Sequence, residues 1–195
     1  MKKLFLLFAV TAGLVSCDDT EPMENSPFFY LTEGNMWVYK RYASDDNGQN
    51  LQFTGQNDTV RIAGPEVIDG VTYSRITHTL GDDEYWRIDG KHLVNSEGYV
   101  VHPGWDYDYT YTRQLPPFGT IDYASQDSYS GEVEGKKYVL YPFEGYFNPA
   151  EGESVPAGVG DVKTYMPGIG FVIKRSRYLS SAAYYEDRLI YHKLI

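Results

Sequence analysis

The sequence predicts an all-β domain: a single antiparallel sheet curled into a barrel or half-barrel, with little or no helix after an N-terminal signal segment. Apolar and polar residues alternate with the period of two that is typical of strands. Nineteen Tyr, nine Phe and three Trp favour strands, while 19 Gly and 10 Pro supply turns. No long stretch shows the i, i+3, i+4 apolar spacing of a helix. A two-sheet sandwich is the remaining alternative.

The chain divides into three segments: a signal peptide over 1–16, an acidic tether over 17–27 and a β domain over 28–195. Two lysines precede an uncharged run, Leu4 to Val15. This run is shorter than the roughly 20 apolar residues that cross a bilayer. A charged start and a short apolar core indicate a signal that is removed, rather than a membrane helix.

Cys17, the sole cysteine, closes the segment Leu14-Val15-Ser16-Cys17. This segment resembles the lipobox of bacterial lipoproteins. The resemblance implies that the Cys17 thiol carries diacylglycerol, that cleavage precedes it, and that the new amine receives an acyl chain such as palmitate. An ordinary secretory signal with a chance cysteine is the alternative. A lipidated Cys17 leaves no thiol for catalysis, disulfides or thiolate metal binding.

Asp18 and Asp19 follow the cysteine and open the polar tether. An acidic stretch at this place resembles the export signal of Bacteroidetes lipoproteins, which implies display on the outer face of the outer membrane; the periplasmic face is the alternative. The expected partner is therefore the membrane, through the anchor. With 17 Lys and Arg against 27 Asp and Glu, the chain is too acidic to favour nucleic acid as a partner.

Turn residues divide the domain into predicted strands. Asn47-Gly48 predicts a hairpin because both residues accept positive φ, and Asp69-Gly70 predicts a break between strands. Gly64-Pro65 predicts a break between strands, and the Gly-, Pro- and Glu-rich stretch 144–160 predicts a long loop. The predicted strands are 36–42, 58–62, 71–80, 84–88, 92–95, 99–102, 105–112, 136–143, 171–176 and 184–194.

The clearest alternation in the sequence runs from Trp105 to Thr112. It predicts a strand with Trp105, Tyr107, Tyr109 and Tyr111 on one face. These four are the candidate ligand-binding residues, because aromatic rings stack on sugars and apolar ligands. We expect the face to line the core, since domains seldom leave such an apolar patch bare; an open face would bind the ligand.

Few other motifs carry chemistry. Asp58-Thr59-Val60 resembles the O-glycosylation acceptor of Bacteroidetes, which makes Thr59 a candidate that must face solvent; a plain strand start is the alternative. The four histidines are dispersed without metal-ligand spacing, so no metal site is predicted. The acidic turns 45–48 and 82–84 could bind Ca²⁺ but lack the full loop pattern and read as solvated turns. No cofactor is expected.

Two stretches resemble one family. Residues 29–39, FYLTEGNMWVY, are similar to the opening of TapB-like envelope lipoproteins, and 155–158 and 165–172 are similar to elements near their end. The resemblance implies a LolA-type curved sheet in the cell envelope and no catalytic residues. Physically, Gly34 permits a tight turn, Trp37 can plug one end of the sheet, and Gly168 and Gly170 permit a bulge or close backbone approach.

The sequence therefore predicts a non-enzymatic, lipid-anchored β domain that binds a hydrophobic ligand, a glycan or another envelope protein. The alternative is a glycan-active enzyme with paired carboxylates, which would need two acids facing each other across a cleft about 5–10 Å apart.

Overall fold

The computed structural model describes residues 28–154, 157–178 and 181–195. The predicted signal peptide, lipidation site and tether lie outside these residues. The described chain is all β, as predicted, and none of its segments forms a helix that could span a membrane. Its strands are β1 Met36–Ala43, β2 Gln52–Ile68, β3 Val71–Thr77, β4 Glu84–Asp89, β5 His92–Asn95, β6 Val100–His102, β7 Thr110–Leu115, β8 Gly119–Ser125, β9 Tyr129–Val133, β10 Lys136–Pro149, β11 Gly158–Met166, β12 Gly170–Arg177 and β13 Tyr184–Lys193.

The strands form one antiparallel sheet in the order β6-β5-β4-β3-β2-β1-β13-β12-β11-β10-β8-β7, with β9 paired to β10. Short turns join most neighbours, as expected for an antiparallel meander. The sheet is not closed, because β6 and β7 are not paired with each other. It nevertheless curls: the buried His102 of β6 contacts the backbone carbonyl of Tyr141 in β10, at the other end of the strand order. The predicted half-barrel is therefore confirmed.

The segment before β1 fills the inside of the curl. Phe28 and Phe29 are both buried, and Phe28 packs against His102, Trp105 and Tyr165. These rings join strands that lie far apart in the sheet order. Phe28 and Phe29 are thus part of the core.

Glycines shape the ends of the sheet as the sequence predicts. Gly34 has φ +89° and its amide bonds the Ile62 carbonyl. Trp37 is buried, and its indole donates to the Ile169 carbonyl in the turn before β12. A Cβ on Gly170 would lie 2.6 Å from the Trp37 Nε1 atom, so only glycine allows this close approach. The predicted break at Asp69-Gly70 is also confirmed: the two residues have φ of 50° and 79° and form the turn between β2 and β3.

Two predicted interruptions are wrong. The stretch 144–160 is not a long loop, because β10 continues to Pro149 and β11 begins at Gly158. Gly145 allows β10 to continue, since a Cβ there would lie 2.7 Å from side-chain atoms of Ile121 and Tyr123 on β8. Gly64-Pro65 does not end a strand either. Instead β2 passes through it, and its pairing with β3 shifts register there, as at a bulge.

The predicted strand over 105–112 is wrong in its first half. Residues 105–109 form turns, and β7 begins only at Thr110. The Asp106 amide donates a hydrogen bond to the Pro103 carbonyl, and the Tyr109 amide donates one to the Asp106 carbonyl. These turn hydrogen bonds replace ladder bonds. Aromatic and Asp residues alternate here for two separate reasons: aromatic rings pack against the core, and Asp residues favour turns. Together they produce the same sequence pattern as a strand.

Candidate functional site: a polar cavity in the curled sheet

A cavity of about 230 Å³ opens where the two halves of the sheet approach each other. We call it the polar cavity. Its walls come from β1, β2, the β3–β4 connection, β4, β6, β11, β12 and β13, so it exists only because the sheet curls. Its lining residues are Arg41, Asp58, His78, Leu80, Gly81, Asp82, Glu84, Trp86, Val101, Lys163, Phe171, Lys174, Arg175, Ser176, Tyr185 and Asp187.

One wall of the polar cavity is a row of charged residues across four adjacent strands. Cross-strand pairing places Lys163 opposite Lys174, Lys174 opposite Asp187, and Asp187 opposite Arg41. Directly paired residues lie on the same face of a sheet. The row thus presents three cations and one carboxylate to the cavity.

Asp187, the single carboxylate of this row, already has an ion-pair partner within the wall. Both Asp187 oxygens accept hydrogen bonds from Arg41, each at 2.8 Å. Lys174 Nζ is 4.0 Å from Asp187 Oδ2, and it lies over the Tyr39 ring. Among the described residues, no carboxylate forms an ion pair with Lys163, whose Nζ faces the Tyr123 ring at 5.8 Å. Lys163 is therefore a cation of this wall without an ion-pair partner among the described residues, whereas the charge of Lys174 also acts on Asp58.

The part of the lining formed by β2 and the β3–β4 connection holds an Asp58–His78 pair. The Asp58 side chain is 1% exposed, and its Oδ2 lies 2.9 Å from His78 Nδ1. Its Oδ1 accepts hydrogen bonds from the backbone amides of Thr79 and Leu80, at 2.9 and 3.1 Å. Burial alone would raise the pKa of Asp58, but the hydrogen bond from His78 and the charge of Lys174 outweigh it and hold that pKa well below its usual range. Asp58 is therefore an ionised anchor for the β3–β4 connection.

The other ring nitrogen of His78, Nε2, is buried. The side chain is 6% exposed, and Nε2 has no hydrogen-bond partner within the described residues. The nearest charged atom is Glu84 Oε1 at 3.5 Å, beyond the usual hydrogen-bond distance. The second Glu84 oxygen accepts the Trp86 indole N–H at 2.8 Å. Because Nε2 has almost no accessible surface in this structure, it offers no contact to a ligand in the polar cavity.

An apolar recess adjoins the polar cavity and shares Trp86, Phe171 and Lys174 with it. Its volume is only about 20 Å³, because Phe29 and Leu31 of the N-terminal segment close it. The recess holds no more than about one water molecule. The pair of spaces therefore offers charged and polar groups to a ligand but no room for a long apolar chain.

The four aromatic candidates do not form one binding face. Trp105 is half-buried against Phe28, while Tyr107 is 47% exposed. Tyr109 packs edge-on against His92, and Tyr111 stacks on Tyr123 with centroids 5.0 Å apart. The predicted common face is wrong because residues 105–109 turn instead of extending. Three of the four rings pack partly against the core, and ligand binding by this segment stays a prediction.

The other candidates lie elsewhere. Thr59 is half-exposed on β2, on a strand position between the buried Asp58 and Val60, and its glycosylation stays a prediction. Asp45 caps its own turn by accepting from the Asn47 and Gln49 amides. Asp83 pairs with Arg75. No cluster of three potential metal ligands occurs among the described residues.

Sequence reasoning missed the residues of the polar cavity. His78 and Asp58 are 20 residues apart, and their pairing depends on where β2 and β3 end. Lys163 and Lys174 flank the turn before β12, but a register shift between Thr164 and Tyr165 sets which residues of this hairpin face each other. A plain hairpin count from that turn would pair Lys163 with Ile173 instead.

No family model and no curated protein matches the chain. Two solved structures are similar over most of it. One is a protein designated as exported, with a YmcC-like fold, from Bacteroides fragilis; it is 11% identical, covers 86% of this chain and 99% of its own, and has a TM-score of 0.43. The other, designated a lipoprotein, is from Parabacteroides distasonis; it is 13% identical, with coverages of 85% and 98% and a TM-score of 0.34.

Proposed function

We propose that this chain is a lipid-anchored protein of the cell envelope whose β domain binds a small anionic ligand in the polar cavity. One observation carries the binding proposal: Lys163 stands beside Lys174 in the wall, and no carboxylate of the described residues forms an ion pair with Lys163. A ligand carboxylate, sulfate or phosphate would supply the missing charge through charge-assisted hydrogen bonds.

Of the ligand classes that the sequence leaves open, the cavity favours an acidic glycan unit over a hydrophobic chain. The apolar recess is filled by Phe29 and Leu31, whereas the polar cavity combines cations with the Trp86 and Phe171 rings. Its volume of about 230 Å³ is smaller than the pockets that hold drug-sized ligands, about 300 Å³ or more. A single charged ring is therefore the expected occupant.

The enzymatic alternative has less support. Asp58 and Asp187 are the two most buried carboxylates of the cavity, and both are engaged by internal donors. A pKa held low makes Asp58 unsuited to act as a general acid. The glycosidase hypothesis would thus depend on the more exposed Asp82 and Glu84.

The binding proposal is tested by titrating glucuronate and glucose into the full-length protein in detergent and measuring heat. We expect glucuronate to bind and glucose, which lacks the carboxylate, to bind at least about tenfold more weakly. Lys163→Gln should weaken glucuronate binding by about tenfold, and rising salt should weaken it further. The matched control is Lys137→Gln, on an exposed part of β10. Equal affinity for both sugars, or no binding of either, contradicts the proposal.

The anchor is tested at Cys17. Cys17→Ala should abolish incorporation of labelled palmitate, because the lipid loses its attachment atom; incorporation equal to the wild type would overturn the lipoprotein assignment. Surface display, suggested by Asp18 and Asp19, predicts that protease added to intact cells degrades the domain. Protection until the outer membrane is ruptured would indicate the periplasmic face.

A further inference from the structure

We infer that the ligand of the polar cavity continues outside it, as an oligosaccharide whose acidic unit lies in the cavity while the adjoining neutral sugar packs against Tyr185 and Tyr178. These two residues are called the tyrosine pair. The inference rests on the proposed function and adds a second subsite to it. A cavity of about 230 Å³ encloses one ring, so the next unit of a longer ligand must lie at its mouth.

The tyrosine pair lies on the same face of the sheet as the cationic row, further towards the strand ends. Side chains alternate between the faces of a strand, so Lys174, Ser176 and Tyr178 follow one another on the cavity face. The Tyr178 amide donates a hydrogen bond to the Ala183 carbonyl, which continues the ladder past the end of β12. Cross-strand pairing places Tyr185 opposite Ser176. Tyr185 is therefore one row beyond the lysines, about 7 Å along the strands, a distance comparable with the length of one sugar unit.

The tyrosine pair is open to a ligand. Tyr185 lines the cavity and is 38% exposed, and Tyr178 beside it is 41% exposed. Their ring centroids are 5.1 Å apart, and in no other contacting ring pair of the described residues are both rings exposed. The other aromatic lining residues of the cavity, Trp86 and Phe171, are buried. The pair therefore continues the cavity as an aromatic surface at its mouth.

Internal contacts hold both rings of the tyrosine pair in place. The guanidinium carbon of Arg41 lies 5.6 Å from the centroid of the Tyr185 ring, and the same guanidinium makes two hydrogen bonds to Asp187. Tyr178 shares a side-chain hydrogen bond with Tyr185, which raises the pKa of Tyr178 to about 12 and keeps its hydroxyl protonated at neutral pH. Rings that are already positioned lose little conformational freedom when a ligand binds, which favours affinity.

The chemistry at the mouth favours a neutral sugar over a second acidic one. An aromatic ring carries negative potential on its face, which attracts the weakly positive C–H groups of a sugar ring. The exposed Ser176 hydroxyl, opposite Tyr185, can donate to and accept from sugar hydroxyls. Asp161 is paired with Ser176 in the same row, so a second acid group placed there would be repelled. The acidic unit therefore belongs to the lysine row and the neutral unit to the tyrosine pair.

The test compares glucuronate with cellobiouronic acid, the disaccharide in which glucuronate is linked through its anomeric carbon to glucose. The full-length wild-type protein in detergent is titrated with each, and the heat of binding is measured. We expect the disaccharide to bind about three- to tenfold more tightly, the contribution of one aromatic contact. Saturation-transfer NMR of the bound disaccharide should show signals from both of its rings, because both then contact the protein.

Tyr178→Ala should abolish the preference for the disaccharide, because the neutral ring loses its contact. The matched control is Tyr191→Ala, a similarly exposed tyrosine that does not line the cavity, and it should keep the preference. The wild-type saturation-transfer result stands even if Tyr178→Ala folds poorly. Equal affinity for the two acids, with saturation confined to the glucuronate ring, overturns the second subsite alone. Failure of both acids to bind overturns the proposed anion site itself, so the two failures are distinguishable.

Discussion

Phe28 offers the sharpest test of the fold, because it places the N-terminal segment inside the core. The ring is 4% exposed. It lies 5.1 Å from His102, 4.7 Å from Trp105 and 4.8 Å from Tyr165, measured between ring centroids. Phe28→Ala removes these contacts and leaves a cavity, which costs about 3–5 kcal/mol at buried aromatic sites. For a domain of this size, each kcal/mol lowers the melting temperature by about 2–4 °C.

The assay is urea and thermal unfolding followed by circular dichroism. The melting temperature should fall by about 6–20 °C, with an unchanged urea m-value because the exposed surface is the same. Tyr30→Ala is the matched control, since that ring is 40% exposed two residues later, and we expect less than about 1 kcal/mol for it. A Phe28→Ala midpoint equal to the wild type would refute the claim that this segment is part of the core.

Three further predictions follow from packing and burial. Gly170→Ala should destabilise by about 1–3 kcal/mol, because φ is +121° and the new Cβ would meet the Trp37 indole. Burial lowers the pKa of His102 from 6.5 to about 3. The unfolded chain therefore binds a proton that the folded chain does not, and stability should fall by about 1.4 kcal/mol per unit as pH drops below about 6.5; His102→Gln should flatten this slope beyond the smaller effect of His192→Gln. Tyr109→Ala should cost about 1–3 kcal/mol, less than a fully buried ring, because Tyr109 is only partly buried.

Each of these predictions has a contradicting outcome. A Gly170→Ala variant as stable as the wild type would show that the turn before β12 tolerates a side chain. Unfolding free energies that are flat between pH 6.5 and 4.5 would refute a neutral, buried His102; this window lies above the range where Asp58 contributes, because its lowered folded pKa changes stability only as pH falls below the unfolded value of about 3.9. Tyr109→Ala matching the exposed Tyr107→Ala would show that Tyr109 does not pack on the core.

Local chemistry made much of the fold predictable. Asp69 and Gly70 accept positive φ, so a two-residue turn there needs no tertiary information. The sequence also predicts a close backbone approach at Gly168 and Gly170, and the structure places the Trp37 indole against Gly170. The failures occur where tertiary packing overrides the pattern. Gly145 reads as a loop residue, yet it is a strand position pressed against Tyr123.

The candidate site was less predictable because it is assembled from distant strands. In the sequence, Lys163 and Lys174 are ordinary strand lysines. They are paired only because the register of their hairpin shifts between Thr164 and Tyr165. His78 looks like the end of a strand until Asp58, 20 residues away, fixes its ring. Neither fact follows from composition or spacing, since both depend on the curl of the sheet and on a one-residue change in register.

The most direct test of the central claim is the indole ¹H–¹⁵N spectrum of the full-length protein in detergent during a glucuronate titration. The three tryptophans lie in different places. Trp86 lines the polar cavity, and the Trp37 indole donates a hydrogen bond to Ile169 in the turn before β12. Trp105 lies in the aromatic segment, residues 105–111, and packs against Phe28. Binding in the cavity predicts that the Trp86 signal moves and saturates while the Trp105 signal stays in place. Movement of Trp105 with an unmoved Trp86 would instead assign the ligand to the aromatic segment and contradict the cavity proposal.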